Sequence, residues 1–331
     1  MKLATVRGAA EPRVCVVLEQ DRVLDLQTAC ETSTGTADPI FASMLDLIAA
    51  GTEGLERARD VVAEAAGRVE TSPLADVTLL APVPEPAQMR DALCFELHCL
   101  QAFRKARELR ASQAADPEAA MRDMEERGVL SVPTEFYDMP IYYKQNRFSV
   151  SGPEQDVIWP TYSTTMDYEL EFGVFIGKSG MNIARENALE HVFGYTIFND
   201  FSARDAQFAE AGGGLGPAKG KDFKGGNALG PWIVTADEIP NPYDLEMVVR
   251  VNGEERGRGS SASMHWRFED LIARVSDCEE LRAGEFLASG TVGNGSGLEI
   301  GRFLDHEDVV ELEVERIGVL RNRVLNPARL A

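Results

Sequence analysis

From about residue 140 onward the chain is a succession of strand-like apolar runs with few helices between them. Phe148–Val150, Tyr168–Ile176, Gly194–Phe198, Pro231–Thr235, Leu245–Asn252, Phe286–Ser289 and Val309–Ile317 read as strands, with Gly and Pro clusters separating them. Helical pieces fit Ala184–His191 and Arg267–Val275. A doubly wound parallel sheet needs a crossover helix after nearly every strand. The pattern therefore predicts an α+β chain that is mainly β, built on a mainly antiparallel sheet or roll.

Residues 1–80 have a different texture. Lys2–Arg7, Arg13–Leu18 and Arg22–Leu26 read as short strands, and Phe41–Ala50 and Leu55–Ala66 as helices. This predicts a small N-terminal α+β domain. Ala81-Pro-Val-Pro-Glu-Pro86 follows, with a proline at every second position. Proline bars helix and favours an extended chain, so the boundary is expected there, leaving 81–331 as the larger domain. Within it Gln101–Arg127 is rich in Ala, Glu and Arg, with opposite charges three to four residues apart, and Pro117 should divide it into two helices. The expected helical insertion spans about 101–138.

The net charge of −21, from 33 basic and 54 acidic residues, excludes nucleic acid or an anionic membrane as the main partner. Five cysteines, an odd number with no CxxC, suit a reducing, cytoplasmic compartment. No apolar h-region opens the chain and no apolar run is long enough to span a bilayer.

The segment Asp167-Tyr-Glu-Leu-Glu171 starts a strand. Alternation puts Glu169 and Glu171 on one face, about 7 Å apart, where they could grip one cation. Asp200 ends a second strand. By itself this spacing most often marks a solvated face, and Glu311-Leu-Glu-Val-Glu315 shows the same alternation on what reads as a polar exterior. The two segments differ in context. Phe172, Val174, Phe175 and Ile176 follow Glu171, which predicts a buried strand. Buried like charges are costly unless paired or metal-bound. Oxygen ligands select a hard cation, with Mg²⁺ expected first and Ca²⁺ or Mn²⁺ as alternatives.

Asn199-Asp-Phe-Ser-Ala-Arg-Asp-Ala-Gln207 resembles the N-D-[WF]-S-A-R-D-x-Q signature of the fumarylacetoacetate hydrolase family. Glu169-Leu-Glu171 precedes it. Gly220-Lys-Asp-Phe223, Leu229-Gly-Pro-Trp232, Ala288-Ser-Gly-Thr-Val292 and Gly297-Leu-Glu299 follow in the family's order. The resemblance runs from residue 88 to about 318 and is similar to a longer bacterial subgroup. It implies a mixed β-sandwich roll, a homodimer, a divalent cation and a small keto acid as substrate. By position it implies Asp91, Glu169, Glu171 and Asp200 as metal ligands. It further implies His98 as base, Glu299 as its orienting acid, and Lys221 as a catalytic cation. Arg204, Gln207, Thr291, Tyr142 and Lys144 would face the substrate, with the Tyr142–Lys144 segment slipping by one residue against the family pattern.

The expected chemistry is hydrolysis of a C–C bond in a 1,3-diketo or acylpyruvate-type acid. His98 would activate water, and Lys221, Gln207 and the metal would stabilise the developing enolate. A decarboxylase, an isomerase or tautomerase, and a non-catalytic homologue are the alternatives. Two departures bear on the choice. Leu93 stands where the hydrolases proper carry a tyrosine, and Gly212–Gly216 is glycine-rich where the family has a lid.

Overall fold

The computed structural model describes Met1–Arg329, so the final two residues of the expected 81–331 block lie outside the described residues. Its fold is a mixed α+β arrangement organised around one large sheet.

Alternating side chains make a central strand serve two cores at once. In Leu170–Ile176, Phe172, Val174 and Ile176 enter one core and Phe175 enters the other. Val192–Asp200 does the same with Tyr195 and Ile197 against Phe198. The large sheet runs Ser72–Pro73, Arg22–Asp25, Arg13–Leu18, Lys2–Val6, Asn227–Thr235, Val192–Asp200, Leu170–Ile176, Phe286–Ala288, Met89–Ala92, Tyr142–Gln145. Leu26–Thr34, Met44–Ala49 and Gly51–Ala65 cover one face through Ala29, Leu47, Ile48, Ala58 and Val61. A five-stranded sheet covers the other, in the order Glu254–Ser260, Glu246–Val251, Val309–Val314, Gly318–Leu325, Asp156–Ile158. Phe175, Phe198 and Phe286 stack at the first interface, with ring centroids 5.0 and 5.5 Å apart. Each such buried ring contributes roughly 1.5–3 kcal/mol, which holds these strands as a rigid platform.

The N-terminal strands belong to this same sheet. Lys2 pairs with Val234 and Leu3 with Ile233, so hydrogen bonding continues past the proline-rich segment. The helices of residues 1–80 and the central strands also share one core.

Among the strands that the apolar runs do not announce, two form much of the second sheet. Glu254–Ser260 lies at a sheet edge, where charged side chains are tolerated and protective. Its signal was the Asn252-Gly253 pair, both at positive φ, which suits a two-residue hairpin turn. Gly318–Leu325 hides its alternation behind Asn322, a buried amide that donates to Gly152 O and Gln155 O. In contrast, Phe148 is an exposed ring, and only Val150–Ser151 pairs there. Pro117 does begin a second helix, Pro117–Glu126, with Asp116 capping Ala119 N–H at 3.0 Å. Glu311 and Glu313 lie on an outer face, paired with Arg321 and Arg250. Among the described residues no helix is long and apolar enough to cross a membrane.

Candidate metal centre and the residues around it

Sheet register builds the centre. Leu170 pairs with Asn199 and Glu171 with Phe198, which sets Glu169 opposite Asp200 at the strand ends. Asp91 arrives on Met89–Ala92, beside Ala288 on one side and Tyr143 on the other. All these carboxylates project from the face that carries Met89, Phe175 and Phe198, where that apolar core ends. Buried carboxylate oxygens of Asp91, Glu171 and Asp200 lie within 4.8 Å of one another. Asp91 Oδ1, Glu171 Oε2 and Asp200 Oδ1 have no hydrogen-bond partner. Three unpartnered anionic oxygens in one buried spot fit a hard divalent cation, and no His or Cys joins them to favour zinc.

Burial, then the charge of Asp200, pushes the Asp91 pKa well above the usual carboxylate range. Burial, then Asp91, Glu169 and Asp200, does the same to Glu171. Without a cation the folded chain therefore holds these protons to a higher pH than the unfolded chain, whose carboxyl pKa values are about 4. This contribution to stability is complete below pH ~4 and is lost as pH rises through the elevated folded values. Melting in the presence of chelator should thus show a decline in midpoint from pH 5 to pH 8 that is shallower in Glu171→Gln. The increment that a saturating divalent cation adds should grow over the same range. An increment that shrinks with rising pH would contradict a carboxylate-held ion.

Glu169 is engaged differently from the other three carboxylates. Its Oε1 lies 2.8 Å from Arg204 Nη2, and its Oε2 accepts from Lys221 Nζ. Burial alone would raise its pKa, but Arg204, Lys221 and His98 outweigh it and hold the carboxyl down to about 2. Lys221 also donates to Asp200 Oδ2 at 2.6 Å. Burial opposes the ammonium charge, yet Asp200 and Glu169 push its pKa up. Lys221 is a fixed, buried cation, unlike a solvated loop lysine. Arg204 makes no pair with neighbouring Asp205, which is occupied by Ser163 and Thr164. It reaches back instead to Asp167 and Glu169, and donates to Gln207 Oε1 at 2.9 Å.

His98 lies in the first turn of Glu96–Ala111, with Nδ1 2.8 Å from Glu299 Oε1. Glu299 is on the short helix Gly297–Ile300, and its Oε2 accepts from Ser296 N–H at 2.9 Å. A carboxylate can only accept, so Nδ1 is the ring nitrogen that donates to Glu299, and Nε2 points away from that bond. Thr291 Oγ1 donates to Glu171 Oε1 at 3.2 Å. The turn before it needs Gly290, at φ +74°, where a Cβ would sit 2.0 Å from Ala92 O.

Tyr142 and Lys144 lie elsewhere than the resemblance implied, and Tyr143 and Asp167 enter unannounced. Tyr143, between the two expected contacts, donates to Asp200 Oδ2 at 2.6 Å. Register explains this: Tyr143 pairs with Asp91 and shares its face, so Tyr142 and Lys144 must point the other way. Tyr142 packs on the core between the two sheets, and Lys144 is 3.8 Å from Glu279. The signal for Tyr143 was the one-residue slip in that segment. Asp167, read only as a strand start, is fully buried and paired with Arg204. Leu93 is half-buried, and Gly212–Gly216 is an exposed link between Arg204–Ala211 and Ala218–Lys221.

A large sheet whose strand ends present carboxylates, with one buried lysine and a His–Glu pair beside them, has the form of an enzyme site with room for a cation. Residues 113–325 match the family model for the fumarylacetoacetate (FAA) hydrolase C-terminal region. The chain is 30% identical over 339 residues to oxaloacetate tautomerase YisK of Bacillus subtilis, covering 98% of this chain and 100% of that one. The solved fumarylacetoacetate hydrolase of Exiguobacterium antarcticum superimposes with a TM-score of 0.72 at 26% identity, covering 98% and 99%. Maleylpyruvate hydrolase of Sphingobium sp. SYK-6, solved with manganese(II) and pyruvate, shares the fold at a TM-score of 0.70 and 23% identity, with 98% and 99% coverage. The chain belongs to the fumarylacetoacetate hydrolase family.

Proposed function

We propose that this enzyme is a metal-dependent keto–enol tautomerase of a short 2-oxo dicarboxylate of the oxaloacetate kind. One observation carries the reading: a fixed cation, Lys221, and an oriented imidazole, His98, both act on the surroundings of Glu169. Tautomerisation moves one proton between carbon and oxygen. It needs a base for the C–H proton and donors for the enolate oxygen, and no nucleophile. The full-length likeness to an oxaloacetate tautomerase supports the same choice. Leu93 supports it further, because it offers no phenol where hydrolases of the family carry one.

Asp91, Glu171 and Asp200 would hold the cation, with Glu169 as a fourth ligand and Mg²⁺, Mn²⁺ or Ca²⁺ all chemically suitable. When bound, it supplies positive charge to the 2-oxo group and its neighbouring carboxylate. His98 Nε2 would take the proton from carbon, with Glu299 stabilising the imidazolium formed, and that proton would then pass to the enolate oxygen directly or by exchange with water, the reverse path giving the keto form. Lys221 donates to the oxygen that gains charge. Gln207 spends its carbonyl on Arg204 and keeps its amide nitrogen for a substrate carboxylate. Thr291 and Arg204 complete the lining.

The second reading is C–C hydrolysis of an acylpyruvate-type acid, favoured by the His98–Glu299 pair, which suits activation of a water. Both are tested by following loss of the oxaloacetate enol absorbance, and pyruvate release from an acylpyruvate, in Mn²⁺ with and without protein. The expected result is enol decay well above the metal-only rate, reduced about 100-fold in His98→Ala. Pyruvate release without enol turnover would replace the first reading with the second.

A further inference from the structure

We propose that Asp167 is a positioning residue that ties the two halves of the site together, setting the imidazole of His98 through the helix that carries Glu299. The proposal rests on the function proposed above only for its activity measurement.

Asp167 is fully buried, and its two oxygens serve two different structures. Oδ1 accepts from Gly297 N–H at 2.8 Å and from its neighbour Tyr168 N–H at 2.9 Å. Oδ2 accepts from Leu298 N–H at 2.9 Å and Arg204 Nε at 2.8 Å, with Arg204 Nη2 at 2.7 Å. On one side lies Arg204, which fixes Glu169 and Gln207. On the other lie the first two amides of Gly297–Ile300, donors that the helix itself leaves unsatisfied. Two residues along, Glu299 closes the turn by accepting from Ser296 N–H and reaches His98 with its other oxygen. The path from the Glu169 side to the imidazole is thus continuous: Arg204, Asp167, the helix start, Glu299, His98.

Gly297 shows how tightly the helix is seated. A Cβ there would fall 2.4 Å from Asp167 Oδ1 and 2.4 Å from Arg302 O. Only glycine lets the helix start sit directly on the carboxylate. A plain structural ion pair between Asp167 and Arg204 would need neither backbone bond nor the missing side chain. A displaced helix would carry Glu299 out of line, and His98 would lose the partner that holds its proton on Nδ1.

The test uses Asp167→Asn and Gly297→Ala in the full-length protein. The asparagine keeps the shape but turns a donor toward an amide or the guanidinium. The alanine pushes the helix off Asp167 while leaving the Asp167–Arg204 pair in place. Imidazole ¹⁵N spectra at pH 8 of protein labelled in histidine report the tautomer directly. With four histidines in the chain the signals are few. His191 Nδ1 is bonded to Lys178 O and His306 Nδ1 accepts from Asn326 N–H, so His98 can be assigned by Glu299→Gln.

Wild type is expected to show His98 with its proton on Nδ1. In both variants that population should fall by about half or more, with kcat down about 10- to 100-fold and KM changed less than about threefold. An unchanged His98 spectrum in the folded variants overturns the proposal, whatever happens to their melting. If Asp167→Asn does not fold, Gly297→Ala decides alone. The spectra need no substrate, so an inactive wild type would count against the tautomerase reading and leave the positioning role to be judged on the imidazole.

Discussion

Replacing Glu171 with glutamine is expected to weaken divalent-cation binding by at least about 100-fold, the upper end of what losing even an outer-sphere partner costs. Glu171 is fully buried, with one oxygen accepting from Thr291 and the other unpartnered beside Asp91 and Asp200. Glutamine would preserve the volume and the Thr291 bond. It would remove one negative charge and could turn an N–H toward the ion. Calorimetric titration of Mn²⁺ into the metal-free protein measures the effect. The variant should be at least as resistant to melting in chelator at pH 8, because a like-charge repulsion has gone. A variant that binds Mn²⁺ within tenfold of wild type would remove Glu171 from the centre.

Lys221→Met should produce the opposite division of effects. The methionine is similar in length and has no charge, so Glu169 and Asp200 lose the cation they share. Cation binding should persist, or tighten, because two carboxylates are freed. Turnover should fall about 100- to 1000-fold, the usual cost of removing a donor aimed at developing negative charge. Keeping more than a tenth of the wild-type rate would reduce Lys221 to a charge balance between carboxylates. The two variants together separate holding the ion from using it.

Much of the centre was legible along the chain. Alternation within one strand places Glu169 and Glu171 together, and the apolar run after them announces burial. Those are local facts, independent of what lies beside the strand. The Asn199–Gln207 motif carried Asp200, Arg204 and Gln207 in one piece. Less legible was anything set by pairing between distant segments. Tyr143 in place of Tyr142 or Lys144 is a matter of register against Met89–Ala92, and a one-residue slip exchanges the faces. Pairing on its other side, with Phe286–Ala288 and through it Leu170–Ile176, brings Asp91 to carboxylates about 80 and 110 residues away along the chain. Asp167 could not be told from any polar strand start until the Gly297 and Leu298 amides were seen to meet it.

The three carboxylates first read as one set, Glu169, Glu171 and Asp200, show where the line falls. By itself the sequence indicated that Glu169 and Glu171 share a face of a buried strand, that Asp200 ends a second strand, and that like charges there need counter-charges or a cation. Periodicity and burial are properties of a segment. Only the tertiary structure decided how they divide: Asp91, Glu171 and Asp200 each turn one unpartnered oxygen toward a common point, while both oxygens of Glu169 are taken by Lys221 and Arg204, the lysine also holding the second oxygen of Asp200. That division depends on the distances between side chains from different strands and helices. Electrostatic energies at a few ångströms in a buried site are large enough to follow those distances closely.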